Sequence, residues 1–149
     1  MTDQHETVGA WAKRYHTASR ALIESVLRPY DLGSTQWYVL HQLAHHGPMM
    51  QRDMGHALHI ERATLSGIVA TLVRKGLIDQ RPDSVDQRQR VVRLTAAGAK
   101  RWNELPDPIA VIQTVSLTGI EDAELETTIQ VLQMATQRIS DHLSGVDNS

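Results

Sequence analysis

The chain has 149 residues, 41% of them hydrophobic, which suits one compact domain or a small domain with helical extensions and is enough for a proper core. No apolar run approaches the roughly 18 residues that span a bilayer, and charges scattered through the first thirty residues exclude a secretory signal, so a cytoplasmic protein with no membrane partner is expected. Zero cysteines exclude disulfides, thiol catalysis and cysteine metal sites, and the net charge of −2 conceals a basic middle: residues 33–100 hold nine Lys or Arg against five acids, residues 101–149 two against eight, and residues 1–32 four against four.

A polyanion responds to the local field, so this segregation permits a DNA-facing middle within an acidic protein. In chain order, Val8, Trp11, Tyr15, Ala18, Leu22 and Val26 recur at three- and four-residue steps, which predicts a first helix over 8–27. Pro29 disfavours helical geometry at Arg28 and ends it. Gly33 or Ser34 caps a second helix, whose stripe is Trp37, Leu40, Leu43 and Ala44 and whose stop is Gly47-Pro48. A short third helix is expected from about Met50 to Leu58, burying Met54, Ala57 and Leu58, although Met49-Met50 stand where a capping side chain belongs.

The fourth helix, Glu61 to Lys75, turns Leu65, Ile68, Val69 and Leu72 inward, keeps Arg74 and Lys75 where the helix dipole favours cations, and stops at Gly76. Its outer face is Glu61, Arg62, Thr64, Ser66, Gly67, Ala70 and Thr71. A short helix, a turn and a longer helix with a small, hydroxylated, Arg-bearing face is what a major-groove reader requires. Thr and Ser let the backbone approach base edges, and Arg62 reaches phosphate or guanine. A merely solvated amphipathic face explains the same pattern.

Leu77 to Gly98 reads as a hairpin. Leu77-Ile78-Asp79-Gln80-Arg81-Pro82 and Arg90-Val91-Val92-Arg93-Leu94 flank a polar turn containing Asp86-Gln87-Arg88. Arg81 is expected to brace it by pairing with an acid. Thr95 then caps a fifth helix, Ala96 to about Leu105, with Trp102 and Leu105 apolar, and Pro106-Asp107-Pro108 interrupts it before Ile109, Ile112 and Val115 resume the stripe. Thr118 with Glu121 has capping-box spacing for a last helix to about Leu143. In that helix Leu125, Ile129, Leu132, Thr136, Ile139 and Leu143 alternate four and three, a seam suited to another helix.

Taken together, the helix, turn, helix and hairpin, with Asp86-x-Arg88 leading into Val91-Val92-x-Leu94-Thr95-x-x-Gly98, resemble the winged helix-turn-helix of the MarR family of bacterial transcriptional regulators. Leu32-x-x-x-Gln36-Trp37-x-x-Leu40 resembles that family's second helix, and Leu72-x-x-x-Gly76-Leu77-Ile78 its junction between recognition helix and wing. The resemblance covers nearly the whole chain. It implies a mainly α fold with a small β wing: an N-terminal dimerisation helix in 1–32, a winged helix-turn-helix DNA-binding domain in 33–98, and C-terminal dimerisation helices in 99–149.

Double-stranded DNA and a second copy of the chain are then the expected partners, in a homodimeric repressor of a pseudo-palindromic operator. By position, Arg88 is the wing arginine for the minor groove, where narrow walls concentrate negative potential, with Asp86 holding the wing nearby. Arg90 and Arg93 are candidates for phosphate, and Arg62, Thr64, Ser66, Thr71 and Arg74 for the recognition helix. Many relatives carry a basic residue where this chain has Gly67, so base reading shifts to its neighbours. Gly67 also suggests close approach, to DNA or to another helix.

The family's cleft for small aromatic or anionic effectors maps near Tyr38 and His41, with Trp11, Tyr15 and Arg101 as candidates to complete it by stacking and charge. His41 and His45 have the i, i+4 spacing of two zinc ligands, but no third ligand is evident, and neither a metal nor a cofactor is expected. An enzyme is not expected either: there is no Gly-rich phosphate loop, no Ser-centred elbow and no pair of buried carboxylates. The alternative is a winged-helix protein-interaction or dimerisation module that does not read DNA.

Overall fold

The computed structural model describes residues 6–147, as seven α-helices and a three-stranded antiparallel sheet. Two compact units divide at Ile112 and Gln113. In the first, α1 (Val8–Leu27) leads through a short turn, Arg28–Tyr30, to α2 (Ser34–His46), the two-residue strand β1 (Met49–Met50), α3 (Gln51–Leu58) and α4 (Arg62–Arg74). The hairpin follows as β2 (Ile78–Pro82) and β3 (Arg90–Leu94), then α5 (Ala96–Glu104) and α6 (Pro108–Leu117).

The core lies where α2, α4 and the foot of the hairpin meet. Trp37, Val39 and Leu40 of α2, Met54 of α3, and Leu65, Val69 and Leu72 of α4 are all buried, with Ile78 and Val92 from the sheet closing one side. The apolar period of α1 is real, but only its C-terminal end reaches this core: Ile23 and Leu27 are buried, whereas Val8, Trp11 and Tyr15 are exposed at 62%, 53% and 47%. Ala44 and Ala57, expected inside, are exposed, because the stripes of α2 and α3 sit one position away from them on Leu43 and Leu58.

Caps that local sequence did not reveal come from tertiary structure. Gly33 is the N-cap of α2, yet it is Glu24 of α1 that accepts the Ser34 backbone N–H at 2.9 Å, satisfying one of the helix's orphan donors. That bond holds the Glu24 carboxyl below the usual carboxylate range. Lys75 ties the far end of α4 to the turn after α1, through the Asp31 carbonyl and carboxylate and the Gln36 amide.

The sheet runs in the order β1-β3-β2, with Met49 opposite Val92 and Ile78 opposite Leu94. Gly76 (φ 75°) makes the left-handed turn into β2. The hairpin's foot is clamped from α5: Thr95 donates its backbone N–H to Leu77 O (3.1 Å) and its hydroxyl to Gly76 O (2.6 Å), and that hydroxyl also accepts Gly98 N–H as N-cap of α5. The expected interruption is present, and Asp107 caps α6 by accepting from Ile109 N and Ala110 N.

The second unit holds the end of α6 and α7 (Asp122–Asp147), which runs past the expected limit at Leu143. The expected capping box does not form, because the Thr118 hydroxyl donates back to the Thr114 carbonyl and the chain turns at Gly119 (φ 88°) before α7 begins. Along α7, Ile129, Leu132, Ile139 and Leu143 of the heptad seam are exposed, and Val146 continues it three residues on.

Candidate nucleic-acid interface

Between the wing and the helix-turn-helix lies a groove of about 560 Å³. Arg52 of α3, Arg62 of α4, and Arg88 and Arg90 of the wing line it, and among the described residues no carboxylate does. Such a concavity focuses positive potential, whatever the chain's overall charge. Arg62 stands in the first turn of α4, after Glu61 as N-cap. Ser66, one turn on, also lines the groove, its Oγ accepting from Gln51 Nε2 at 3.1 Å.

Wing geometry explains why Arg88 projects. Asp83 Oδ2 accepts the backbone N–H groups of Val85 (3.2 Å) and Asp86 (3.0 Å), Asp86 Oδ1 accepts that of Arg88 (3.1 Å), and Asp83 N–H closes the loop on Gln89 O at 2.9 Å. Two carboxylates thus fold the loop through local backbone bonds, leaving Arg88 exposed at the tip. The bracing arginine is Arg93, and not Arg81 as expected. Strand register places Arg93 opposite Asp79, and its Nε donates to Asp79 Oδ1 at 2.8 Å. That bond holds the Asp79 carboxyl below its usual value and raises the Arg93 guanidinium. Arg81 faces Val91 across the ladder.

The remaining recognition-helix candidates sit outside the groove lining. Thr64 is exposed on α4. Thr71 is half-buried; its hydroxyl donates to Gly67 O (3.0 Å) and accepts from Arg74 Nη2 (3.1 Å), so Thr71 and Arg74 are tied to each other along the helix. Gln51, Arg52, His56, Gln80 and Gln89 line the groove and were missed by sequence reasoning. The polar first turn of α3, Gln51-Arg52, is the trace they leave in the sequence.

A second cavity, of about 670 Å³, opens beside α1 and α2 and is lined by Tyr15, Arg20, Ser34, Tyr38, His59 and Ile112 among others. Burial pushes the Tyr38 phenol up, so its hydroxyl stays a neutral donor. Of the five expected effector residues only Tyr15 and Tyr38 meet here. Trp11 lies out along α1, with the Arg14 guanidinium 4.7 Å over its ring and its indole N–H donating to Glu6. His41 packs instead into an aromatic cluster, 4.2 Å from His45, 4.9 Å from Trp37 and 5.7 Å from Trp102 between ring centroids. Burial, then neighbouring His45, pushes its imidazole down. Arg101 borders a small separate recess with Tyr30 and Lys75. Among the described residues no cluster of three metal-ligating side chains occurs, and no helix is long and apolar enough to cross a membrane.

Comparison with known proteins agrees with this architecture. A family model described as MarR family matches residues 30–89, which run from the turn after α1 to the wing tip. The HTH-type transcriptional repressor NicR of Pseudomonas putida is 27% identical over 131 residues, covering 88% of this chain and 83% of NicR. YwoH of Bacillus subtilis, an uncharacterised HTH-type transcriptional regulator, is 29% identical over 112 residues, 75% of this chain and 81% of its own. The PcaV transcriptional regulator of Streptomyces coelicolor, solved in complex with its natural ligand, superposes with a TM-score of 0.76 at 25% identity, covering 92% of this chain and 96% of that one. Residues 30–89 thus match the MarR family, and the arrangement of helix-turn-helix, wing and flanking helices is similar to that of PcaV along nearly the whole length.

Proposed function

We propose that the protein is a homodimeric repressor that grips a pseudo-palindromic operator and is released by a small aromatic or anionic effector. The observation that carries the reading is the groove in which four arginines, and among the described residues no carboxylate, converge from α3, α4 and the wing. Arg88 enters the minor groove, Arg90 and Arg52 meet phosphates, and Arg62, Thr64 and Ser66 approach base edges, with Arg74 and Thr71 at the margin. Residues 33–98 are the reading domain, and the helices of 1–32 and 99–149 join two copies. The exposed seam on α7 supports that assembly, since an apolar helical stripe of this length calls for a partner.

The cavity beside Tyr15 and Tyr38 supplies an effector site of ordinary ligand volume, with Arg20 as the cation for an anionic group and two phenols for an aromatic ring. NicR's repression and PcaV's ligand are in keeping with both halves of the proposal. A duplex-binding titration against salt tests it. The protein binds its own upstream DNA with an affinity that falls steeply as salt rises, and Arg88→Ala weakens binding on the order of tenfold per half-site and flattens the slope. A chain that holds no duplex even at low salt is an interaction module, and unchanged binding in Arg88→Ala removes the wing's assigned part.

A further inference from the structure

Within the arginine-lined groove, three side chains from three elements are joined in series. Gln80 Nε2, on β2, donates to Gln51 Oε1 at 2.6 Å, and Gln51 Nε2, in the first turn of α3, donates to Ser66 Oγ on α4 at 3.1 Å. All three line the groove beside Arg62, Arg88 and Arg90. The Gln51 amide is therefore fixed at both ends, its oxygen toward the wing and its NH₂ toward the reading helix.

This direction has a consequence for Ser66. A hydroxyl has one proton and two lone pairs, and an amide N–H donating to Oγ leaves the Ser66 proton to be given elsewhere. Ser66 is exposed on the face that carries Arg62, so the groove side is where that proton is offered. Guanine, thymine and, at N7, adenine present acceptors in the major groove, whereas cytosine presents only an amino donor.

We propose that Gln51, oriented by Gln80, is a positioning residue for sequence choice: it sets Ser66 as a hydrogen-bond donor, so each reading head discriminates against cytosine at the base Ser66 meets. The inference rests on the DNA-reading function above. It also gives the wing a part in sequence choice that needs no base contact of its own, since the β2 side chain fixes the amide that fixes the hydroxyl.

Gln51→Glu tests the polarity directly. A carboxylate only accepts, so the Ser66 proton turns inward to it while Gln80 Nε2 keeps its acceptor; the brace survives and Ser66 now offers lone pairs to the groove. Wild type, Gln51→Glu and Gln51→Ala are each put through selection from a random-duplex library, with thermal unfolding as the check on folding. At one position per half-site, Gln51→Glu raises cytosine relative to guanine or thymine by about tenfold in occupancy, the worth of one hydrogen bond, while adenine, with both an acceptor and a donor, changes little. Gln51→Ala blurs the preference there without reversing it. Recovery of the wild-type consensus by Gln51→Glu overturns the inference while leaving DNA reading intact. Failure of the wild type to enrich any duplex overturns the reading itself.

Discussion

Gly98→Ala is expected to be the most damaging single-methyl change in the chain. A Cβ built there lies 1.8 Å from Leu77 O and 2.8 Å from Leu77 C, both backbone, and 3.2 Å from Leu94 Cδ2. Reaching even 3.0 Å from that oxygen requires α5 and the start of β2 to part by about 1.2 Å, and a carbonyl cannot swing aside as a side chain does. Leu77 O is also the acceptor of Thr95 N–H, and the Thr95 hydroxyl holds Gly76 O, so the movement breaks the clamp at the wing's foot. Overpacking costs about 1–3 kcal/mol and each lost hydrogen bond about 1 kcal/mol, for a total of roughly 3–5 kcal/mol. For a chain of this size, that is a fall in melting temperature of about 10 °C or more. Calorimetry or circular dichroism measures it, and a shift within about 2 °C of wild type refutes the argument that Gly98 is required for close packing.

Gly67→Ala should act in the opposite sense: an added Cβ meets nothing within 4 Å, so the variant gains up to about 1 kcal/mol of helix stability, seen as a higher urea midpoint. If its duplex affinity falls at the same time, the glycine serves close approach to DNA; unchanged affinity removes that role. His41 should make stability pH-dependent. Its native pKa is lowered from 6.5, so its contribution is fully present above that value. It is lost as pH falls toward the lowered native value, because the unfolded chain takes up the proton first. His41→Gln flattens that slope in urea midpoints measured below about pH 6.5, and an unaltered slope there assigns it elsewhere. Leu132→Asp, in the exposed seam of α7, is expected to convert a dimer to monomers in light scattering without loss of helical signal; a persistent dimer places the interface off that seam.

The sequence made most of the fold legible, and what it missed depended on distant partners. Periodicity located α1, α2 and α4, Gly76 stopped α4 through its left-handed geometry, and the paired prolines separated α5 from α6. Strand β1, only two residues long, has no period to read, and its existence depends on Val91 and Val92 forty residues away. The Glu24 cap of α2 is equally nonlocal. Hairpin register decided which wing arginine is braced: Asp79 faces Arg93, and Arg81 faces a valine, a distinction of two residues that alternation alone does not set. Arg62, Ser66, Arg88 and Arg90, singled out in the sequence as DNA contacts, all line the groove, whereas the glutamines beside them follow from how three separate elements converge. The effector candidates scattered because a shared helical face does not determine which neighbour each residue meets; Tyr38 borders the cavity while His41, on the same helix, packs on Trp102.

The two concavities are not independent, because Ile60 lines both. It sits in the tight turn between His59, held at φ 54°, and Glu61, the N-cap of α4. Its own N–H donates to Gly55 O at 2.9 Å, and a Cβ on Gly55 would stand 3.2 Å from Ile60 O, so the turn has little slack against α3. Under the proposed reading, an effector that displaces Ile60 moves the first turn of α4, where Arg62 stands, and the end of α3 together. Among the described residues that line the cavity beside Tyr38 none belongs to the wing, so Arg88 is reached from α3 through the Gln51–Gln80 bond. Linkage requires the reverse as well: whatever factor the effector takes from operator affinity, bound operator takes from effector affinity. Under the proposed reading, an effector acts on the recognition helix through Ile60 and on the wing by way of α3 and the Gln51–Gln80 bond.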